Sequence, residues 1–227
     1  MMRAAVLTQF GEPLRMEELQ VSGARGHEVL VRTAATGICR SDRLAQLGQN
    51  PRAASTPLVL GHESAGVVEA VGPDVTLVQP GDPVVTCAAT SCGTCEWCQC
   101  GEQQHCTTPR RSRSSADPPR LSLGGAAVAA FVGVGGFATH LLVDERVVVP
   151  IPPEMPLDRA AVLGCAVHTG IGAVRHTAQV RMGDAVVALS RSSRSTSALP
   201  RSSALVPSAP LTPLMAAGPT RSAASSR

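Results

Sequence analysis

Apolar and polar positions in the first half of the chain fall into short runs that glycine and proline repeatedly interrupt. That is the pattern of short strands joined by turns. The runs at 3–8, 28–35, 64–71 and 82–86 predict strands; Gly26-His27 leads into the second, Gly72-Pro73 stops the third and Pro80-Gly81 precedes the fourth. Further strands are expected at 128–134, 137–143 and 147–149, before a proline-rich turn over 150–156. Many short strands with frequent turn signals predict a mostly β chain, a compact and largely antiparallel barrel or sandwich with short helices. Residues 38–47 predict one such helix, capped by Ser41 or Asp42. From Leu157 the pattern turns helical: Asp158 can cap, and Ala161, Val162, Cys165, Ile171 and Val174 recur near helical spacing despite Gly164 and Gly170. A turn at 181–184 then leads into the apolar run 185–189, which suits a buried parallel strand.

After Leu189 the pattern is lost. Residues 190–227 are dominated by Ser, Arg, Ala and Pro and contain no acidic residue. Such a stretch cannot bury enough apolar surface to fold, and a disordered tail is expected. Residues 107–120, rich in Arg, Ser and Pro, read as a solvated loop.

Composition narrows the function classes. A length of 227 residues allows one or two domains with a proper core. The formal charge of +3 favours no particular partner. All 20 basic residues are arginine, tyrosine is absent and Asn50 is the single asparagine, a bias that fits a GC-rich gene better than a binding role. With three Phe and one Trp, and with Asp117 interrupting the arginines of the loop, nucleic acid is not an expected partner. The N-terminal stretch has no long apolar segment and reaches Glu12 early, so no signal peptide is expected. No window approaches about eighteen uninterrupted apolar residues, so no membrane span is expected either. The reading is cytoplasmic, and cysteines in such a chain serve metals more often than disulfides.

Five of the eight cysteines lie between Cys92 and Cys106. Cys92, Cys95, Cys98 and Cys106 stand at C-x2-C-x2-C-x7-C, a spacing that can wrap four thiolates around one zinc in a closed, structural site. An iron–sulfur run would place its fourth cysteine nearer the third. Cys100 is either a spare thiol or a substitute for Cys98. Three other residues stand out: Cys39 in Gly37-Ile-Cys-Arg-Ser-Asp42, His62 in Gly61-His-Glu63, and Cys165 in Leu163-Gly-Cys165. Spacing alone makes them weak candidates, since a lone buried cysteine is usually a small hydrophobe.

Taken in order, the motifs G-I-C-R-S-D, G-H-E-S-A-G-V-V, the cysteine lobe and L-G-C-A-V-H-T-G-I-G-A, with V-x-P-G-D and V-V-V-P-I-P-P-E between them, resemble the zinc-dependent medium-chain alcohol dehydrogenases from about Met2 to Leu189. The resemblance implies a GroES-like catalytic domain at 1–156 carrying the zinc lobe 87–107, followed at 157–189 by the linking helix and first strand of a Rossmann domain. It also implies a second, catalytic zinc on Cys39, His62 and Cys165, with a fourth position left for water or alcohol. By similarity Ser41 would pass on the alcohol proton, Asp42 would orient the histidine, and Glu63 would approach the metal from behind. Arg40 would meet the pyrophosphate of NAD(P), and Thr169 would lie beside the nicotinamide. The implied reaction takes an alcohol to an aldehyde or ketone and passes hydride to NAD(P). Family subunits commonly meet through the nucleotide domain, so an intact member could be a homo-oligomer, while the sequence leaves the oligomeric state open. Two positions depart from the family: Leu44 replaces a relay histidine, and Ala88 replaces a bulky residue that narrows the cleft.

The resemblance stops where a nucleotide-binding turn is due. A glycine-rich turn should follow residues 185–189, because only glycine lets the backbone approach the pyrophosphate, yet the chain reads Ser190-Arg-Ser-Ser-Arg194. Gly133-Val-Gly-Gly-Phe-Ala138 matches the weaker G-x-G-x-x-A form but leads into an expected strand, not a helix. The expectation is therefore a dehydrogenase copy truncated by a frameshift near Leu189 and impaired in turnover. The competing expectation is a non-enzymatic zinc-binding GroES-like module. A zinc-free quinone oxidoreductase of the same superfamily is disfavoured by Cys39, His62, Cys165 and the full lobe.

Overall fold

A computed structural model of the chain describes residues 1–88, 91–107, 113, 116–184 and 186. The expected strand at 185–189 (but for residue 186), the tail 190–227 and much of the loop 107–120 lie outside the described residues. The chain divides into a first compact unit, Met1–His168, and a second that begins at Thr169.

The first unit is built on two sheets. Strands β1 (Met2–Leu7), β2 (Arg15–Val21), β4 (Leu58–Val59), β7 (Leu121–Leu123), β8 (Ala126–Ala127) and β9 (Ala129–Ala130) form one, in the order β8-β7-β2-β1-β4-β9. Strands β3 (Glu28–Gly37), β5 (Glu63–Val71), β6 (Pro83–Thr86), β10 (His140–Asp144) and β11 (Val148–Pro150) form the other, in the order β10-β3-β5-β6-β11. Every described pairing is antiparallel except β4 with β9. The mostly β, barrel-like architecture expected from the strand pattern is therefore the observed one.

Period-two alternation explains the core. Met2, Ala4 and Val6 point inward from β1 and pack with Leu19 and Val59. Val29, Val31, Val68, Val84, Leu141 and Val143 fill the five-stranded sheet's own core. A third cluster joins Leu7, Leu58 and Leu60 to Ala45 and Phe131. Its Ala45 lies on helix α1 (Arg40–Gln46), so that helix is fixed against the strands beside it.

Several local expectations need correction. Residues 128–134 are not one strand: after β9 the chain makes a tight turn at Phe131–Gly133, with Val132 at φ 47°. Phe131 is buried there, so the apolar run reflects burial in a turn. The cap of α1 is Cys39, not Ser41 or Asp42; Asp42 sits in the first turn and accepts a bond from the Cys39 amide at 3.0 Å. Asp158 likewise is not a cap, because Pro156 holds that position before α3 (Leu157–Ala160). The helical stretch from Leu157 is interrupted: α3 and the 3-10 turn Ala161–Gly164 end at Cys165, whose φ of −137° is not helical, before α4 (Ala166–Gly172) begins. Strands β2, β4, β7 and β8 were not expected from the sequence. In β2, Arg15–Val21, only Leu19 is fully buried, so its polar sequence hides its place in the sheet.

In the second unit the remainder of α4 runs into a π-helical turn at Ala173–Thr177. No helix among the described residues is long and apolar enough to cross a membrane.

Candidate metal centres

The cysteine lobe is a compact sulfur cluster. Helix α2 (Glu96–Gln99) begins at its cap Cys95 and carries Cys98 one turn on. The sulfurs of Cys95 and Cys98 are 3.5 Å apart, those of Cys92 and Cys98 3.8 Å, and those of Cys95 and Cys106 3.8 Å. A tetrahedron with metal–sulfur bonds of about 2.3 Å has edges of about 3.8 Å, so the quartet has the dimensions of a closed zinc site. The Cys95 amide donates to Cys92 Sγ at 3.2 Å and the Cys92 amide to Cys106 Sγ at 3.4 Å, which favours thiolates. Burial, together with the neighbouring thiols, pushes the Cys98 thiol up to about 11. A divalent cation reverses that cost, since a coordinating thiol is deprotonated by the metal's charge. Cys100 stands apart: it is exposed, and its thiol donates to the Trp97 carbonyl at 3.4 Å. It is the spare thiol of the two alternatives.

The second cluster gathers residues far apart in sequence. One donor atom each from Cys39, His62, Glu63 and Cys165 lies within 4.8 Å of the others. The sulfurs of Cys39 and Cys165 are 4.0 Å apart, close to the same tetrahedral edge. Cys39 comes from the start of α1, His62 and Glu63 from the start of β5, and Cys165 from the break between the 3-10 turn and α4. A regular helix through Cys165 would have turned its sulfur along the helical spiral, so the break is part of how the site is made.

Asp42 organises the histidine. Its Oδ1 lies 3.1 Å from His62 Nδ1 and accepts the Gly61 amide at 3.0 Å, while Oδ2 accepts the Cys39 amide. A carboxylate that is 2 % exposed and so engaged keeps the proton on Nδ1 and leaves Nε2 as the lone-pair donor. Burial alone would lower the His62 pKa; Asp42 and Cys39 outweigh it and raise it. The Phe131 ring meets the imidazole edge-on at 5.8 Å. Ser41 Oγ is 3.3 Å from Nε2. Burial, then Cys39 and Glu63, push the Cys165 thiol up to about 12, so this donor set too is suited to a cation.

Glycines make room for the cluster. Gly61 has φ +89°, and a Cβ there would meet the Phe137 ring at 2.5 Å and its amide nitrogen at 2.7 Å. A Cβ on Gly37 would meet a Glu63 carboxylate oxygen at 2.5 Å. Thr86, at the end of β6, is the residue the sequence did not reveal. Its hydroxyl donates to the His62 carbonyl at 2.8 Å and accepts the Ser64 amide at 3.0 Å. A threonine ending a strand is ordinary, so no local signal marks it.

The remaining expected residues lie elsewhere. Arg40 is exposed on α1, and Leu44 is half-buried on the same helix. Ala88 packs against the core of the five-stranded sheet. Thr169 is exposed and belongs to the second unit. The stretch 133–138 leads into β10 and not into a helix, as expected, and a Cβ on Gly136 would stand 2.2 Å from Ser64 Oγ. Its glycines serve packing.

Known proteins are similar to this chain in sequence and fold. The family model described as "Alcohol dehydrogenase GroES-like domain" matches residues 25–153. A putative S-(hydroxymethyl)glutathione dehydrogenase 2 of Schizosaccharomyces pombe is 38% identical over 188 residues, 81% of this chain and 49% of that protein. An S-(hydroxymethyl)glutathione dehydrogenase of Escherichia coli O1:K1 is also 38% identical, with 51% of its length covered. The crystal structure of an alcohol dehydrogenase zinc-binding domain protein from Burkholderia ambifaria superposes with a TM-score of 0.69 at 35% identity, over 81% of this chain and 50% of that one. Benzyl alcohol dehydrogenase from Acinetobacter calcoaceticus gives 0.69 at 31% identity, with the same coverage. The chain thus spans about half the length of the relatives it matches. On the matched fold and its two metal-ligand clusters, the chain belongs to the alcohol dehydrogenase GroES-like domain family.

Proposed function

We propose that this chain carries the metal-binding catalytic half of a zinc-dependent alcohol dehydrogenase of the cytoplasm, oxidising a small alcohol to an aldehyde or ketone with hydride passing to NAD(P). The observation that carries this reading is the convergence of Cys39, His62, Glu63 and Cys165 within 4.8 Å, with Asp42 on the far nitrogen of the imidazole. Cys39, His62 and Cys165 would hold the catalytic zinc, and Cys92, Cys95, Cys98 and Cys106 the structural one. Bound at the first site, zinc supplies a Lewis acid that acidifies a hydroxyl group.

The chain's own residues supply the rest. Asp42 holds the His62 tautomer and ring plane. Ser41 Oγ, 3.3 Å from His62 Nε2, is placed to accept and pass on a proton beside the donor set. With Leu44 in place of a relay histidine, that proton would move on to water. Arg40, exposed on α1, is available to a phosphate. Thr169 is assigned to the nicotinamide by resemblance. The substrates that relatives are named for, S-(hydroxymethyl)glutathione and benzyl alcohol, are the first to try.

Hydride transfer needs the nicotinamide within about 3–3.5 Å of the reacting carbon. Residues 190–194 offer no glycine-rich turn to hold it, and we read them as a shifted frame. Resequencing the codons for 185–194 tests this directly: a glycine-rich turn in another frame supports it, and its absence from all frames overturns it.

A second reading, a non-enzymatic zinc module, is favoured by Glu63, whose carboxylate lies among the same donors and can close the coordination shell. The two readings part in the visible spectrum of the cobalt-loaded protein. An open site shifts its bands when a small alcohol or imidazole is added. A spectrum indifferent to both ligands would overturn the dehydrogenase reading and leave the closed module.

A further inference from the structure

Thr86 ties together the backbone segments that present His62 and Cys165. Its partner strand β5 begins at Glu63, and the backbone pairing of β5 with β6 runs from Ala65↔Val85 to Val67↔Pro83. One step beyond, where that pairing has ended, the Thr86 side chain takes over: Oγ1 donates to the His62 carbonyl at 2.8 Å and accepts the Ser64 amide at 3.0 Å. The hydroxyl thus fixes the peptide groups on both sides of Glu63. Thr86 is 1 % exposed and Ser64 fully buried, so neither backbone group has water as a substitute partner.

The Thr86 carbonyl lies against Gly164. A Cβ on that glycine would stand 1.8 Å from the Thr86 carbonyl oxygen, so the chain ahead of Cys165 rests directly on this residue's backbone. Thr86 is itself held by pairing with Val148, and the next amide, of Cys87, donates to the Val147 carbonyl at 2.7 Å. A rigid strand end therefore touches two of the converging segments, one through its hydroxyl and one through its carbonyl.

We infer that Thr86 is a positioning residue for the Cys39–His62–Cys165 centre, setting the direction of His62 and the approach of Cys165 without touching the metal. This rests on the reading of those residues as one metal centre. Groups that orient metal ligands from behind typically change metal affinity by about 10–100-fold when removed. Thr86→Val keeps the shape and strips the hydroxyl, removing this partner from the His62 carbonyl and the Ser64 amide.

The test uses the full chain titrated with cobalt(II) against a competing chelator, read by visible absorption, with His62→Ala supplying the reference spectrum of the cysteine quartet. Thr86→Val is expected to weaken cobalt at the His62 centre by about 10–100-fold and alter its bands. The quartet should keep wild-type affinity, and Thr86→Ser should return the centre to within a few-fold of wild type. Unchanged affinity and spectrum in Thr86→Val would overturn the inference. So would equal weakening of both centres, which marks a general loss of stability, or failure of Thr86→Ser to restore binding. A wild-type protein that binds cobalt at the quartet alone would overturn the metal-centre reading beneath it.

Discussion

At the scale of single residues, carboxylates set the local architecture as much as the cysteines do. Asp42 accepts from two backbone amides and lies 3.1 Å from the His62 imidazole, and the motif around it had already singled it out in the sequence. Glu28 was not readable in this way. It is 5 % exposed and takes bonds from Arg113 Nε at 2.9 Å, Arg120 Nε at 2.7 Å and the Arg25 amide at 3.1 Å. Burial would raise its pKa, but the two arginines outweigh it and the value is lowered. A carboxyl whose folded pKa lies below its unfolded one stabilises the fold fully above the unfolded value. That contribution fades as pH falls through the lowered one. Thermal unfolding followed from neutral to acid pH should show the loss in the wild type. Glu28→Gln should be less stable by about 2 kcal/mol at neutral pH, with the gap closing in acid. Parallel curves for the two proteins would show that Glu28 contributes nothing through its charge.

At the scale of elements, strands with a clean alternation were legible and those without it were not. The strand at 64–71 appears within one residue as β5, whereas β2 carries one fully buried residue and reads as polar. The helical stretch from Leu157 shows the limit of periodicity. Its apolar spacing is compatible with one helix, but the backbone leaves helical geometry at Cys165, next to the point where Gly164 lies against Thr86. Gly164→Ala should therefore push this segment off the strand. A loss of about 1–3 kcal/mol in urea unfolding is expected, the range for overpacking a filled site, together with weaker metal binding at Cys165. Wild-type stability in that variant would mean the segment yields freely.

At the scale of the whole molecule, the two metal clusters come from different kinds of chain organisation, and that difference predicts different failures. The quartet closes a short lobe, Cys92 to Cys106, around one site. Binding energy there is folding energy for the lobe, of the order of 10–16 kcal/mol in zinc-finger peptides. Cys95→Ser should lose one metal per chain with falling solubility. His62→Ala should lose the other and leave far-ultraviolet circular dichroism largely unchanged, because the sheets beside its cluster are already packed by their own cores. If elemental analysis and circular dichroism found the two variants alike, the division between them would be wrong.

What the sequence determined by itself was everything that local spacing can encode. The four cysteines of the lobe are within fifteen positions of one another, so bringing them together closes only short loops at little entropic cost. The strand pattern likewise follows from alternation, which any chain of this sequence carries before it folds. The second cluster was legible only through motif order and family resemblance, because Cys39 and Cys165 are 126 positions apart and no local rule relates them. Tertiary structure decided their meeting, the break in the helix at Cys165, and the place of Thr86 between His62 and Gly164. Each depends on where one strand end stops against another segment, a matter of packing in space that neighbours along the chain do not record.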